Sequence, residues 1–197
     1  MPYISCNRKS APCVRRGKVQ KQNRTALSPD VYEQELAEFV FRRDRPLKGW
    51  YHPASIRDVQ RFMSVIPDWQ RLSMGLRAVI LRSGNWWRYG QYNTAGVIGL
   101  EAWPRDEEQS FRQDDRWLLD QLGVELNESG YGLLTPEQAK GFVLLSTFLH
   151  EVGHHVDRMS TRSKADAANG EPFAIRFEQS RQRELWQAYV REFGEPC

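Results

Sequence analysis

The feature that most constrains this chain is a cluster of three histidines in the run Phe148-Leu149-His150-Glu151-Val152-Gly153-His154-His155. It contains the pattern His-Glu-x-x-His, in which His150 and His154 are separated by one helical turn. At that spacing two imidazoles lie on one face of an α-helix and can bind a single metal ion. Glu151 can then take a proton from a water at the open coordination position. The pattern therefore predicts a helix that carries a metal site.

The flanking residues predict where this helix begins and ends. Thr135-Pro136-Glu137-Gln138 is typical of a helix start, with Thr as the N-cap and Gln completing a capping box. Apolar residues then recur at steps of three and four to about residue 159, as expected of a helix with one face in the core. Gly153 is unfavourable inside a helix by about 1 kcal/mol. We therefore expect it to allow another backbone to approach beside the metal.

A catalytic zinc site usually has three protein ligands and one water, so a third ligand is expected elsewhere in the chain. A second helix is predicted to open at Asn169-Gly170-Glu171-Pro172, and it carries the pattern Glu171-x-x-Ala174-x-x-Phe177. Over residues 135–177 the chain resembles small gluzincin-type HExxH zinc metallopeptidases, and over 150–189 it also resembles uncharacterised bacterial HExxH proteins. The resemblance implies that Glu171 is the third ligand and that Ala174 lets the two helices pack closely.

The residues themselves leave other candidates for the third ligand open. Glu178 lies two turns beyond Glu171 on the same helix face and is the ligand if the second helix begins later. Asp157, three residues after His154, is a candidate ligand, or it orients an imidazole or holds a basic partner. His155 points about 100° away from His154, so we expect it to be packed or at the surface.

The rest of the chain predicts an α+β fold. Helices are predicted over residues 28–43, 55–65 and 107–122, and strands over residues 76–81, 87–92 and 95–102. The sheet is expected to be small and antiparallel or mixed. This order of elements matches the zincin-like architecture that the resemblance implies. In that family an edge strand beside the active-site helix pairs with the substrate, and residues 95–101 are the candidate, with an ordinary core strand as the alternative.

Length and charge predict one domain with a basic extension. The chain has 197 residues and a net charge of +3, whereas residues 1–24 contain seven basic residues and no acidic one. We therefore predict a basic flexible arm over residues 1–27 and a single domain over 28–197. The arm is a candidate for nucleic-acid binding or is a solvated tail. Cys6, Cys13 and Cys197 lie near the ends and do not indicate a disulfide framework.

No apolar run reaches the roughly 20 residues that a membrane span needs. No apolar core of a secretory signal is found at the N-terminus either. A cytoplasmic location without a membrane span is the expectation from these two observations.

Together these motifs predict a zinc metallopeptidase. His150, His154 and Glu171 would hold one Zn²⁺ per chain, and Glu151 would be the general base during attack of water on a peptide carbonyl. Stabilisation of the oxyanion is open between Tyr189, Tyr131 and His155.

The alternative is a zincin-fold binding or regulatory protein whose zinc site is structural or vestigial. Within the enzyme class, the sequence leaves open a broad peptidase, a processing enzyme with a single partner protein, and an amidase. The oligomeric state is likewise left open.

Overall fold

The computed structural model describes residues 13–15, 18–20, 39–161 and 169–196. Strands β1 (Cys13–Arg15) and β2 (Lys18–Gln20) pair with each other in antiparallel fashion. They are the only part of the predicted N-terminal arm that falls within the described residues, so the prediction of a flexible arm stays a prediction. Cys6 and Cys197 also lie outside the described residues.

The described part of the chain is an α+β fold with a small mixed sheet, as the sequence predicts. The further strands are β3 (Val40–Arg43), β4 (Trp50–Tyr51), β5 (Ala78–Arg82), β6 (Gly90–Asn93), β7 (Val97–Glu101), β8 (Trp103–Pro104), β9 (Gln109–Ser110) and β10 (Tyr131–Gly132). Four of them form the main sheet in the order β3-β5-β7-β6, and the pairs β4-β8 and β9-β10 stand apart from it. Strands β3, β5 and β7 are parallel, and β6 is antiparallel to β7.

The helices account for most of the second half of the chain. They are α1 (Ile56–Val65), α2 (Trp69–Leu72), α3 (Arg116–Gln121), α4 (Pro136–Phe142), α5 (Leu149–Ser160) and α6 (Glu171–Phe193). Helix α4 runs through a π-helical segment, Val143–Phe148, directly into α5. Thr135 caps α4 in the predicted capping box with Gln138. The predicted long helix is therefore present, but its wide π turn had no signal in the residue pattern.

Two predicted helices are wrong in the described residues. Residues 40–43 of the predicted helix 28–43 are strand β3, because they complete the sheet by pairing in parallel with β5. Residues 28–38 lie outside the described part. Of the predicted helix 107–122, only Arg116–Gln121 is α-helical, because Gln109–Ser110 pairs with β10 and a 3₁₀ turn follows at Gln113–Asp115.

Of the two interpretations that the sequence left open for residues 95–101, the structure shows the core strand and not the edge strand. Residues 95–101 contain β7, which is paired with β5 on one side and with β6 on the other. Its Ile98 and Leu100 side chains are buried, which is typical of a central strand. The edge strand beside α5 is β6, which has polar Gln91 and Asn93 in it.

Helices α5 and α6 cross closely at Gly153, as the sequence predicts. A Cβ atom built on Gly153 would lie 2.9 Å from the Ala174 Cα atom and 3.2 Å from its carbonyl oxygen. The hydrophobic core is continued by Phe62 of α1, whose ring lies 6.1 Å from that of Phe148 and 6.3 Å from that of Tyr189. Helices α5 and α6 are therefore packed against each other and, through the contacts of Phe62, against the hydrophobic core.

Among the helices that the structure describes, none combines the length and the apolar character needed to cross a bilayer.

The substitution Gly153→Ala tests the helix crossing. The added methyl group meets the Ala174 backbone, which cannot rotate away, and overpacking of this kind costs about 1–3 kcal/mol. The better helix propensity of Ala returns at most about 1 kcal/mol. We therefore expect a lower free energy of unfolding in urea denaturation. Ser180→Ala, on an exposed face of α6, is the control and should change stability by less than about 0.5 kcal/mol. A more stable Gly153→Ala variant would contradict the tight crossing.

Candidate metal centre

The structure brings three of the predicted site residues together at the crossing of α5 and α6. The Nε2 atoms of His150 and His154 are 3.1 Å apart. The two carboxylate oxygens of Glu171 lie 3.2 Å from His150 Nε2 and 3.2 Å from His154 Nε2, respectively. The helical spacing of the histidines sets the first distance, and the position of Glu171 in the first turn of α6 sets the other two.

These distances fit a single zinc ion. Protein ligands bind zinc at 2.0–2.2 Å with tetrahedral angles, so neighbouring donor atoms should be about 3.3–3.5 Å apart. The three observed separations of 3.1–3.2 Å are close to that range. Two imidazole nitrogens and one carboxylate are also a ligand set that suits Zn²⁺. Among the described residues, this is the one group of three or more potential ligands whose donor atoms converge.

The site is open on one side. The side chains of His150 and His154 are 14% and 19% exposed, whereas that of Glu171 is 69% exposed. The histidines are therefore held in the protein while the carboxylate lies at the rim. A small molecule or a chain segment can approach the donors from the side of Glu171.

Glu178, the rival for the third ligand position, lies on the other side of the His150 ring. Its Oε2 atom is 3.0 Å from His150 Nδ1, and its side chain is 1% exposed. The carboxylate accepts hydrogen bonds from the guanidinium of Arg112 at 2.9 Å and from the hydroxyl of Ser146. The side-chain amide of Gln182 donates a fourth bond at 3.0 Å. Glu178 is thus fully occupied away from the three converging donors.

This contact fixes the protonation of His150. Because a carboxylate can only accept, His150 Nδ1 carries a proton, so in the neutral imidazole it is Nε2 that has the lone pair facing Glu171 and His154. Burial alone would raise the pKa of Glu178, but the His150 hydrogen bond and the Arg112 charge hold it below its usual value. Burial lowers the pKa of His150, and the bond and charge of Glu178 outweigh that effect and raise it. A buried carboxylate therefore orients the imidazole of His150, the first candidate ligand.

Asp157 hydrogen-bonds to the segment that opens α6, and it is not one of the three converging donors. Its carboxylate accepts hydrogen bonds from the backbone N–H of Gly170 at 2.8 Å and of Asn169 at 3.1 Å. The side-chain amide of Asn169 donates a further bond at 3.2 Å. These residues immediately precede Glu171, so Asp157 fixes the start of α6 and with it the position of the third donor.

Glu151 is buried between α5 and the edge strand β6. The backbone N–H of Tyr92 donates a hydrogen bond to its carboxylate, and burial raises its pKa to about 7. A Cβ atom built on Gly90 would lie 2.8 Å from Glu151 Oε1 and 2.6 Å from the Thr147 methyl carbon. The absence of a side chain at Gly90 is therefore what lets β6 approach the carboxylate this closely.

His155 is fully buried and is not part of the donor cluster, in agreement with the sequence interpretation of a packed histidine. Its Nε2–H donates to the carbonyl oxygen of Met74 at 2.9 Å, so its Nδ1 accepts from the Tyr92 hydroxyl at 3.1 Å. Burial lowers its pKa to about 4. His155 and Glu151 thus hold the two ends of Tyr92, its hydroxyl and its backbone.

Two of the three candidates for an oxyanion donor are engaged in other contacts. The side chain of Tyr189 is buried in the core, where it stacks on Phe193 at 4.9 Å. Tyr131 belongs to β10, which pairs with β9. His155 has both ring nitrogens engaged. Tyr189 and His155 are therefore unfavourable as oxyanion donors, whereas Tyr131, which is 44% exposed, stays a candidate.

Sequence reasoning missed Arg112, Ser146 and Gln182, the other partners of Glu178. Ser146 and Gln182 each lie four residues from a candidate ligand, on the same helix face as His150 and Glu178 respectively, so spacing could have indicated them. Arg112 is 66 residues from Glu178 and lies next to a 3₁₀ turn. No local pattern points to it.

Comparison of the chain with protein-family models, with curated proteins and with solved structures finds no match. The interpretation of the site therefore depends on its own geometry.

Substitution of Glu178 separates a ligand from a positioning residue. Loss of a carboxylate behind a ligating imidazole typically weakens metal binding about 10–100-fold. We expect that range for Glu178→Gln, measured by competition with a chromophoric zinc chelator, and a larger loss for Glu171→Ala. Glu184→Gln, which alters an exposed residue of the same helix, is the control and should bind zinc as the wild type does. Equal losses for the Glu178 and Glu171 variants would make Glu178 a ligand.

Substitution of Asp157 tests the start of α6. Asp157→Ala leaves the Asn169 and Gly170 amides without their acceptor, so Glu171 loses its fixed position. We expect about tenfold weaker zinc binding, in the range for residues that orient a ligand. Asp120→Ala, an exposed residue of α3, is the control. Unchanged zinc affinity in Asp157→Ala would show that Glu171 is positioned without this contact.

Proposed function

We propose that this chain is a zinc-dependent peptide hydrolase with a zincin-like arrangement of its sheet and helices. The observation that carries the proposal is the convergence of the His150, His154 and Glu171 donor atoms at 3.1–3.2 Å, with the carboxylate of Glu151 on the same helix. Donors of this kind at this spacing suit zinc, and the neighbouring carboxylate supplies a base.

His150, His154 and Glu171 would hold the metal. When bound, Zn²⁺ lowers the pKa of water from about 15.7 to about 7 and polarises a carbonyl group. The carboxylate of Glu178 keeps the Nε2 lone pair of His150 available, and Asp157 keeps Glu171 in place.

Glu151 is the residue that moves protons in this proposal. Its carboxylate accepts a proton from the attacking water and passes it to the leaving amine. The Tyr92 N–H group restricts the orientation of the carboxylate. The bonds from Tyr92 to both Glu151 and His155 hold β6 against α5, so the base has a fixed place relative to the edge strand.

The edge strand β6 supports a peptide as the substrate. Glu101 N–H bonds to the Tyr89 carbonyl, so in this antiparallel ladder the backbone groups of Gly90 and Tyr92 point away from β7. The Tyr92 N–H bond to Glu151 agrees with that alternation. An extended peptide can add to such an edge through main-chain hydrogen bonds. The peptide bond would then lie beside Glu151, which favours a peptidase over an amidase for non-protein substrates.

The geometry supports an enzyme more than a structural zinc site. Structural sites use four protein ligands, whereas catalytic sites keep a position open. Glu178, the alternative third ligand on the same helix as Glu171, is directed at His150 Nδ1 instead. The 69% exposure of the Glu171 side chain leaves room for a substrate. A buried base beside the donors has no use in a structural site.

Glu151→Gln tests the proposed reaction. The amide cannot accept the proton, so we expect the hydrolysis of a fluorogenic peptide library to fall about 10²–10⁴-fold, the usual contribution of a general base. Zinc content should stay at the wild-type level because Glu151 is not among the three donors.

Glu184→Gln is the matched control and should retain both activity and zinc. Full hydrolysis by zinc-loaded Glu151→Gln would contradict the assigned base. Absence of hydrolysis by the zinc-loaded wild type would favour the binding or regulatory alternative.

A further inference from the structure

The segment before β6, residues 83–89, carries two exposed tryptophans, and we call it the tryptophan loop. Trp87 is 92% exposed and Trp86 is 60% exposed. Trp87 has the highest exposure among the large exposed apolar residues of the described part. Exposed aromatic rings of this size are enriched in binding sites, because burying them on contact contributes strongly to affinity.

The tryptophan loop is held in place from within. Trp86 packs edge-on against Trp50, with ring centroids 4.7 Å apart. The Asn85 side-chain oxygen accepts a hydrogen bond from the Trp87 N–H at 2.8 Å. Gly84 has a φ of +122°, and a Cβ atom there would lie 2.3 Å from the Trp50 ring. These contacts hold Trp86 and the loop backbone in place, and within the described residues the Trp87 ring is left 92% exposed.

The end of the loop is anchored as well. The guanidinium of Arg88 lies 3.6 Å from the buried carboxylate of Glu101, at the end of β7. The Tyr89 hydroxyl donates a hydrogen bond to the Ser110 carbonyl at 2.6 Å, and its ring lies 5.0 Å from that of Trp103. The exposure of Trp87 therefore results from a well-supported loop.

The loop leads directly into the edge strand beside Glu151. Gly90 is three positions after Trp87, so their Cα atoms are at most about 11 Å apart. Gly90 is the residue whose Cβ atom would lie 2.8 Å from Glu151 Oε1. An extended chain advances about 3.3 Å per residue. A peptide that follows β6 past Glu151 would reach the level of Trp87 within about three residues.

We propose that Trp87 binds a bulky apolar side chain of the substrate, about three residues from the position that lies opposite Gly90. This inference rests on the proposed function and adds a substrate class to it, namely extended peptides with an aromatic or large aliphatic residue near the cleaved bond. The continuity of the loop with the edge strand is what favours a peptide over other occupants. Main-chain pairing with β6 hardly distinguishes one peptide sequence from another. The contact with Trp87 would provide the selectivity for a bulky apolar side chain.

The test is a titration of non-hydrolysing protein with peptides. Glu151→Gln loaded with zinc is titrated calorimetrically with pairs of short peptides that carry Phe or Ala at each position in turn. We expect one Phe position to bind about tenfold more tightly than Ala, a typical effect of an aromatic contact. The preference should disappear in Glu151→Gln/Trp87→Ala and persist in Glu151→Gln/Trp87→Phe.

The control is Val40→Ala in the same background, because Val40 is 52% exposed on β3, at the opposite edge of the sheet. It should keep the preference. Zinc affinity should be the same in all variants. Equal binding of Phe and Ala peptides, or a preference that survives Trp87→Ala, overturns the proposal.

Two further measurements test whether Trp87 binds a lipid surface or a second copy of the chain instead of a peptide. Trp87-dependent sedimentation with vesicles of phosphatidylcholine and phosphatidylglycerol would assign the loop to a lipid surface and overturn the proposal. A dimer in light scattering that Trp87→Ala dissociates would assign it to a second copy of the chain, with the same consequence. If wild type hydrolyses no peptide, the proposed function fails, whereas Trp87-dependent peptide binding by the zinc-loaded protein would still support this site.

Discussion

The arrangement of the site depends on one close contact, the crossing of α5 and α6 at Gly153 and Ala174. A Cβ atom at Gly153 would lie only 2.9 Å from the Ala174 Cα atom. The two backbones can therefore approach each other this closely only because both residues are small. Glu171 lies one turn before Ala174, and His150 and His154 flank Gly153 by three residues and one. The crossing therefore sets the distance between histidines and carboxylate. A larger residue at Gly153 or Ala174 would push the two helices apart. The distance between the donor atoms would then increase even though no donor residue had been changed.

A buried charge network then determines how the donors are presented. Placing Glu178 in the protein interior is costly unless its charge is compensated. The guanidinium of Arg112 at 2.9 Å provides that compensation, and Arg112 in turn pairs with Asp115 at 2.8 Å. Glu178 also accepts a hydrogen bond from His150 Nδ1–H. Through Glu178 and Arg112, the tautomer of the candidate ligand His150 depends on Asp115. Asp115 lies in a 3₁₀ turn that is far from His150 in the sequence.

The residue pattern predicted the long helix, its cap at Thr135 and the Gly153 crossing, because spacing and capping act over a few residues. It placed Glu171 in the first turn of α6, where the structure also has it. It could not predict that β7 is a central strand, because strand order depends on contacts between distant segments. The bonds of Asp157 to the Asn169 and Gly170 amides were not predicted either, because these groups lie 12 and 13 residues further along the chain. The helix predicted for residues 107–122 failed where pairing with β10 outweighed apolar periodicity.

The proposed function requires that three donors from two helices, His150, His154 and Glu171, form one zinc site. The most direct test is the zinc stoichiometry and affinity of the purified protein, measured by metal analysis and chelator competition beside His150→Ala and His154→Ala. The account predicts about one zinc per chain in the wild type and loss of tight binding in both variants. A well-folded wild type that takes up no zinc after incubation with the metal, or variants that bind it unchanged, would contradict the account.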